Sequence, residues 1–127
     1  HHELQMIAIY RGPRDAADGH AARAKAYAEG TDDAAVLWNI TWGMAMHAGL
    51  TGDAQGTARH LAAASAIAER TRSPLHRLWT AEVEIEYRSG IGDWSGALAL
   101  ADETIRGARD FSQGALLPRL LVWSALV

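Results

Sequence analysis

The stretch Gly92-Asp93-Trp94-Ser95-Gly96-Ala97 decides the fold, because one helical segment ends before it and the next begins inside it. Related corners occur at Gly52-Asp53, followed by Thr57, and at Gly12-Pro13, followed by Ala17. The glycines at positions 12, 52 and 92 are evenly spaced, which defines a 40-residue period. A constant period of this size is typical of repeat arrays, in which each repeat is one supersecondary unit.

Length and composition are those of one globular domain. The chain has 127 residues, of which 49% are hydrophobic, so it can bury a core. Its net charge of −3 disfavours direct binding to nucleic-acid phosphates, and the absence of cysteine excludes disulfides and thiolate metal sites. The sequence also lacks an apolar run of membrane-spanning length and a signal-peptide pattern. We therefore expect a cytoplasmic protein. Because the sequence does not begin with Met, we expect it to be a piece of a longer protein or a processed form.

The apolar periodicity and the helix-terminating residues predict seven helices. The i, i+3, i+4 spacing of Leu4, Ile7 and Ala8 is typical of a helix, and later segments repeat such patterns. Gly30 is expected to end the second helix, and Ser73-Pro74 is a typical helix start. The predicted helices cover residues 2–11, 14–29, 33–50, 54–71, 74–89, 94–109 and 113–127.

One segment favours a strand when it is considered alone. Residues 81–88 alternate between apolar and polar side chains, which is the period of a β-strand. They lie one repeat period after residues 41–48 and end at the same kind of glycine corner, and a lone strand would have no partner. In helical spacing, Glu84 and Arg88 form an i, i+4 ion pair on the outside. An apolar stripe also forms, made of Leu75, Leu78, Trp79, Val83 and Tyr87. We therefore predict a helix here.

The second helix of each pair carries small residues where helices are expected to cross. Small side chains at positions i, i+4 and i+7 allow two helix backbones to approach closely. These positions are Ala17, Ala21 and Ala24, then Thr57, Leu61 and Ala64, then Ala97, Ala101 and Thr104. A pair of helices cannot bury both of its faces alone, so neighbouring pairs are expected to stack.

The pattern resembles the tetratricopeptide repeat. The copy that matches best contains Gly92, Asp93, Trp94, Ala97 and Ala101. In the second copy Thr57 replaces the usual alanine, and in the first copy Pro13 replaces the usual aspartate. The 40-residue period is similar to the longer repeat of MalT-like and LuxR-type bacterial transcriptional regulators. The resemblance implies an all-α, superhelical stack of antiparallel helix hairpins. Its units would cover about 1–30, 33–72 and 74–110, with a half unit at 113–127.

The resemblance also implies a concave binding surface, lined by the first helix of each unit. Carried over by position, that surface would include His2, Met6, Asn39, Trp42, Met46, Trp79, Glu82, Glu86, Arg119 and Val122. Trp42, Met46, Trp79, Glu82 and Glu86 are the predicted ligand- or partner-binding residues, since aromatic and Met side chains are typical anchors.

Each of these residues also has a structural interpretation. The tryptophans and Met46 can instead be core residues, and Trp94 and Trp123 are assigned to packing. Glu82 and Glu86 lie one turn apart, where they can recognise a basic or amine-bearing ligand or form a solvated acidic stripe. Acid–base catalysis by this pair is the least favoured interpretation.

No catalytic, metal or cofactor site is predicted. The six histidines lack the spacing of a zinc site, and His47 is assigned to helix packing. Residues 90–95 approach a dinucleotide glycine pattern, but the third glycine is missing and no strand precedes them. The sequence contains no phosphate-binding loop and no nucleophile elbow.

Three functions are consistent with these features. The first is a non-catalytic sensor or scaffold region of a bacterial LuxR/MalT-type regulator, which binds a protein, peptide or small effector and does not itself contact nucleic acid. The second is a stand-alone adaptor that binds a peptide. The third is a small-molecule-binding or hydrolytic helical domain.

The end of the chain suggests self-association. Residues 116–127 are nearly all apolar and would form the first helix of a unit whose second helix is missing. One face of this helix is then predicted to lack a partner within the chain, and an exposed apolar face favours a two-fold dimer. The residues of that face are Leu120, Trp123, Ser124 and Val127.

Overall fold

The computed structural model describes residues 14–114 and 116–126, apart from the side chains of residues 14–18, 123 and 126. Every element in this part of the chain is an α-helix, so the predicted all-α class is confirmed. The predicted first helix, residues 2–11, and the corner at Gly12-Pro13 lie outside the described residues. The six described helices are α1 (Arg14–Ala28), α2 (Ala34–Thr51), α3 (Ala54–Thr71), α4 (Pro74–Gly90), α5 (Trp94–Asp110) and α6 (Leu117–Leu126).

The segment with strand-like alternation is helical, as predicted from the 40-residue period and from the glycine corner that follows it. Residues 81–88 lie inside α4, which begins at the Ser73 cap with Pro74 in the first turn. The Ser73 side chain accepts a hydrogen bond from the His76 backbone N–H, and proline needs no partner at this position. Glu84 and Arg88 form the expected i, i+4 pair, with 2.6 Å between Oε1 and Nη2.

Left-handed residues recur at even intervals at the ends of the helices. Positive φ angles occur at Gly52 (81°), Arg72 (50°), Gly92 (84°) and Ser112 (54°). The two glycines lie at the predicted corners, where a residue without a side chain adopts this conformation most easily. Gly30, expected to end the first described helix, lies two residues after its last residue, Ala28. It donates a backbone hydrogen bond to the Tyr27 carbonyl, and its φ is not positive.

The corners at Gly52-Asp53 and Gly92-Asp93 repeat the same hydrogen bonds. The Asp53 N–H donates to the carbonyl of Ala48 at 2.9 Å, and the Asp93 N–H donates to that of Arg88 at the same distance. Each aspartate then caps the following helix, because its Oδ1 accepts from the N–H three residues later, at 2.8 Å and 3.0 Å respectively. The 40-residue period of the sequence therefore corresponds to a corner with the same backbone hydrogen bonds in both places.

The chain divides into two compact units, one ending at Thr71 and the other beginning at Arg72. In the first unit, α1 and α3 both pack against α2. Its buried hydrophobic residues are Ala24, Trp38, Ile40, Ala45, Met46, Ala48, Leu61, Ala64 and Ala68. In the second unit, α4, α5 and α6 contact one another pairwise. Its core cluster comprises Leu78, Ile85, Ala97, Ala101, Ile105, Ala108, Leu116 and Leu120.

Small residues lie at the predicted helix crossings. All six described positions of α3 and α5 are buried: Thr57, Leu61, Ala64, Ala97, Ala101 and Thr104. In α1, Ala24 is buried and Ala21 is partly buried. Gly107 is equally restricted, because a β-carbon there would lie 2.9 Å from Cδ2 of Leu78.

Three expectations about packing are wrong. Trp94, assigned above to packing, is 52% exposed, because the first turn of α5 turns it away from the core. Leu75 is also exposed, since the buried stripe of α4 runs instead through Leu78, Glu82, Ile85 and Ser89. Leu120 is not uncovered: it is fully buried in the core that α4, α5 and α6 share.

Two other members of the predicted apolar face, the Trp123 side chain and Val127, lie outside the described residues, so the packing assigned to Trp123 stays a prediction.

The described part of the chain contains no helix that is both long and apolar enough to cross a membrane.

Candidate functional site

The five predicted binding residues fall into two groups. Trp42 and Met46 lie on α2 in the first unit, whereas Trp79, Glu82 and Glu86 lie on α4 in the second. Each group is therefore described within its own unit.

The first group is a tryptophan pair on α2. The rings of Trp38 and Trp42 stack one helical turn apart, with 5.6 Å between their centroids and 16° between their planes. Trp38 is buried and Trp42 is half-buried, so the pair connects the core to the surface. Met46 is only 5% exposed, which corrects its assignment to a binding surface: it packs as a core residue. Trp42 is the member of this group that reaches the surface, close in sequence to the exposed Asn39.

The second group contains a buried carboxylate. Glu82 was predicted to line a binding surface, but it is 0% exposed, so that prediction is wrong. It occupies the inward stripe of α4, where Leu78 and Ile85 lie one turn to either side. A buried carboxylate requires a cation and hydrogen-bond donors. Arg119 of α6 provides both: its Nε and Nη2 lie 2.8 Å and 2.7 Å from Oε1 of Glu82.

The pairing leaves one oxygen atom of Glu82 unused. The Nε and Nη2 atoms of Arg119 both approach Oε1. In the frequent bidentate arrangement, two parallel N–H···O bonds would instead reach one carboxylate oxygen each. The other oxygen, Oε2, is buried, and no donor reaches it from the described part of the chain. A buried acceptor without a donor is uncommon in folded proteins and requires an explanation.

Glu86 lies one turn beyond Glu82 and is half-buried. Burial raises the pKa of Glu86, the nearby Glu82 charge raises it further, and Arg119 opposes both effects. Burial also raises the pKa of Glu82, while the charge of Arg119 and its hydrogen bond lower it. One guanidinium thus acts on two carboxylates, of which Glu82 is shielded from water and Glu86 is half-buried.

Trp79 completes the second group. It is partly buried and packs against the core cluster of the second unit. It precedes Glu82 by three residues, so the two side chains start from neighbouring positions on one helix face. We call Trp79, Glu82, Glu86 and Arg119 the carboxylate cluster.

Sequence patterns indicate only part of this cluster. The resemblance places Arg119 on the predicted surface, but no pattern predicts its pairing with Glu82, 37 residues earlier. The available signal is that Glu82 lies in helical register with Leu78, Ile85 and Ser89, all of which are buried. A carboxylate in such a stripe must find a cation from another helix.

The other titratable groups in the described part of the chain do not form a comparable site. Burial lowers the pKa of His60 and of His76. Within residues 14–114 and 116–126, no group of three or more His, Cys, Asp or Glu side chains is arranged to hold a metal ion.

No protein-family model, curated protein or solved structure matches this chain at a significant level.

Proposed function

We propose that this chain is a non-catalytic binding module made of helical hairpins, and that it forms the sensor or scaffold region of a bacterial LuxR/MalT-type transcriptional regulator. The observation that supports it most is the recurrence of one corner geometry at Gly52-Asp53 and Gly92-Asp93. Repeats of this kind form extended surfaces on which partners bind. In this proposal the ligand is a protein, a peptide or a small effector.

Two surface features support binding through the first helix of each hairpin. In the first unit, Trp42 is stacked on a buried Trp38, so its ring is held in place before a ligand arrives. In the second unit, Glu82 and Glu86 follow Trp79 by about one and two helical turns on α4, so polar side chains start near it on the same helix. Preorganised aromatic side chains with few polar neighbours are typical of binding hot spots.

The test is a peptide-binding screen on the chain itself, read by calorimetry. Trp42→Ala and Trp79→Ala should each weaken a peptide that binds, by about tenfold or more for a hot-spot residue. Trp94→Ala is the control, because Trp94 is a tryptophan that reaches solvent but lies on the second helix of its hairpin. Equal loss in all three variants, or loss only in the control, would reject this surface.

The regulator assignment has its own test, the gene sequence on either side of the segment that encodes residues 1–127. A nucleotide-binding loop upstream or a helix-turn-helix downstream supports it. A chain without either would favour the alternative, a stand-alone adaptor that binds a peptide. A third possibility, a small-molecule-binding or hydrolytic domain, predicts turnover or effector binding without any peptide.

A further inference from the structure

We propose that Glu82, Glu86 and Arg119 form a recognition site for a single N–H-bearing cation of the ligand, either a primary ammonium or a guanidinium group. The inference rests on the proposed binding function and names the chemistry that this part of the surface recognises.

The hydrogen-bond geometry of Glu82 is the first observation. Arg119 approaches Oε1 with two nitrogens, at 2.8 Å and 2.7 Å, and leaves Oε2 without a donor. A carboxylate can accept about four hydrogen bonds, so one side of Glu82 retains its full accepting capacity. A second cation with N–H groups supplies what Oε2 lacks.

The charge balance of the cluster is the second observation. Glu82 and Glu86 carry two negative charges when ionised, and Arg119 supplies one positive charge. Arg88, on the same helix, is committed elsewhere: its Nη2 lies 2.6 Å from Glu84, and its Nη1 lies 3.9 Å from Asp93. When both carboxylates are ionised, the cluster therefore has a net charge of −1, which a ligand with one positive charge would neutralise.

The number and type of ligand atoms favour an organic cation over a metal ion. Calcium takes six to eight oxygen ligands, whereas the cluster has two carboxylates and a competing arginine. An ammonium or guanidinium group needs only two or three acceptors, arranged on one side of the group. Residues one helical turn apart, such as Glu82 and Glu86, have β-carbons about 5–6 Å apart, so both can contact the same group.

Access to the cluster is from the side of Glu86 and Arg119. Glu86 is half-buried, and the Arg119 side chain is 38% exposed, so both reach the surface. An arriving cation meets Glu86 first. Because Oε2 of Glu82 is closed to solvent, the second contact requires the side chains that cover it to move.

A titration followed by ¹H–¹⁵N NMR tests the site on the intact chain. The probes are N-acetyl-arginine amide and N-acetyl-lysine amide, with N-acetyl-citrulline amide as the neutral analogue of arginine. We expect both cations to perturb the amides of residues 79–86, 117 and 119–121, and citrulline to have no effect there. Glu86→Gln should weaken binding about tenfold, since one charged hydrogen bond is lost.

Two further variants keep the interpretation clear. Glu84→Gln is the matched control, because Glu84 lies on the same helix and already pairs with Arg88, so binding should not change. Glu82→Gln retains an oxygen that can accept from Arg119, so it should fold while losing most of the affinity. Equal binding of citrulline, unchanged affinity in Glu86→Gln, or no response at tens of millimolar of either cation would overturn the site.

The source of the cation is decided by a second arm. Peptides that carry one Arg or Lys are compared with the same peptides carrying citrulline or norleucine. Tighter binding of the cationic peptides than of the single amino-acid amides identifies a protein partner, and equal affinity identifies a small amine. Peptide binding that depends on Trp42 but not on Glu86 would overturn the cation site and leave the proposed function standing. The reverse result would support the site and count against peptide binding.

Discussion

The carboxylate of Asp93 occupies the space that a β-carbon on Gly96 would need. Its Oδ1 accepts a hydrogen bond from the Gly96 N–H at 3.0 Å, and its Oδ2 lies where the β-carbon would be placed. Asp53 and Gly56 have the same relationship in the preceding hairpin, with a hydrogen bond of 2.8 Å. The aspartate cap and the glycine three residues later are therefore one feature of the corner, present in both copies.

The first prediction concerns this pairing. Gly96→Ala should destabilise the chain by about 1–3 kcal/mol, because the cap must shift or be lost. The measurement is the free energy of unfolding in urea. Gly90→Ala is the control, since no atom lies within 4 Å of a β-carbon there. In the Asp93→Ala background, Gly96→Ala should cost less, because the carboxylate is gone and only the end of the flexible Arg88 side chain, with Nη1 2.8 Å from the β-carbon position, must move. Additive losses would show that the two residues do not interact.

The second prediction concerns the left-handed residues at the helix ends. Ser112→Gly should stabilise the chain by about 0.5–1 kcal/mol, because a residue with a β-carbon is disfavoured by about 1–2 kcal/mol in this conformation. Gly92→Ala should destabilise by a similar amount for the same reason. Both changes are measured by the midpoint of urea unfolding, which reports stability when the dependence of the unfolding free energy on urea concentration is the same in the variants. A loss of stability in Ser112→Gly would contradict the positive φ at this position.

The third prediction concerns the helix crossing in the second unit. Ala101 is 1% exposed within the core cluster, so Ala101→Leu should overpack it and cost about 1–3 kcal/mol. The neighbouring Ala99 is exposed on the same helix, and Ala99→Leu should leave the melting temperature nearly unchanged. Equal melting temperatures for both variants would show that α5 packs through another face.

The fourth prediction concerns the ion pair between Arg119 and Glu82. Arg119→Leu leaves a buried carboxylate without its cation, which should cost on the order of 3 kcal/mol at pH 7, the low end for buried pairs, because Arg119 is partly exposed. The loss should shrink at low pH, where Glu82 takes up a proton. Glu82→Leu in addition should restore most of the stability, since both charges are then removed. A double variant no more stable than Arg119→Leu would reject this account.

The fifth prediction concerns Glu86 and pH. The folded state raises the pKa of Glu86, so the folded protein binds its proton more tightly than the unfolded chain does. Stability from this group is therefore present at low pH and is lost as the pH rises from its unfolded pKa through its folded pKa. Glu86→Gln should remove that part of the pH dependence and be more stabilising at pH 7 than at pH 4. Unfolding measured at both pH values decides it; an equal effect of Glu86→Gln at both would contradict the raised pKa.

Sequence patterns are sufficient for the elements and insufficient for the site. Helix starts can be predicted because Asp33 and Ser73 act through local hydrogen bonds, within three residues along the chain. The period also assigns residues 81–88 to the correct structure, although their alternation alone indicates a strand. The binding residues depend instead on which face of each helix is buried. For Met46 and Glu82 that is decided by neighbouring helices, which no local pattern specifies.

The glycine at the third helical position illustrates a signal that only the structure explains. Gly56 and Gly96 stand at the same place in two repeats, each three residues after a capping aspartate. The corner at Gly12 has Pro13 in place of the aspartate and Ala16 in place of the glycine. If the aspartate carboxylate is what excludes a side chain at the glycine position, a corner without the aspartate has no need of the glycine.

The left-handed residues at 52, 72, 92 and 112 are evenly spaced, so a deletion of 40 residues can begin and end at equivalent corners. Removal of residues 52–91 would join α2 to α5 through Gly92-Asp93, a corner with nearly the same φ and the same cap as the one it replaces. No new turn would be required, and every remaining helix would keep its own start and end. Duplication of the same segment would be equally compatible. The shortened chain should remain helical and melt cooperatively by circular dichroism, whereas removal of residues 52–81, which ends inside α4, should abolish the transition.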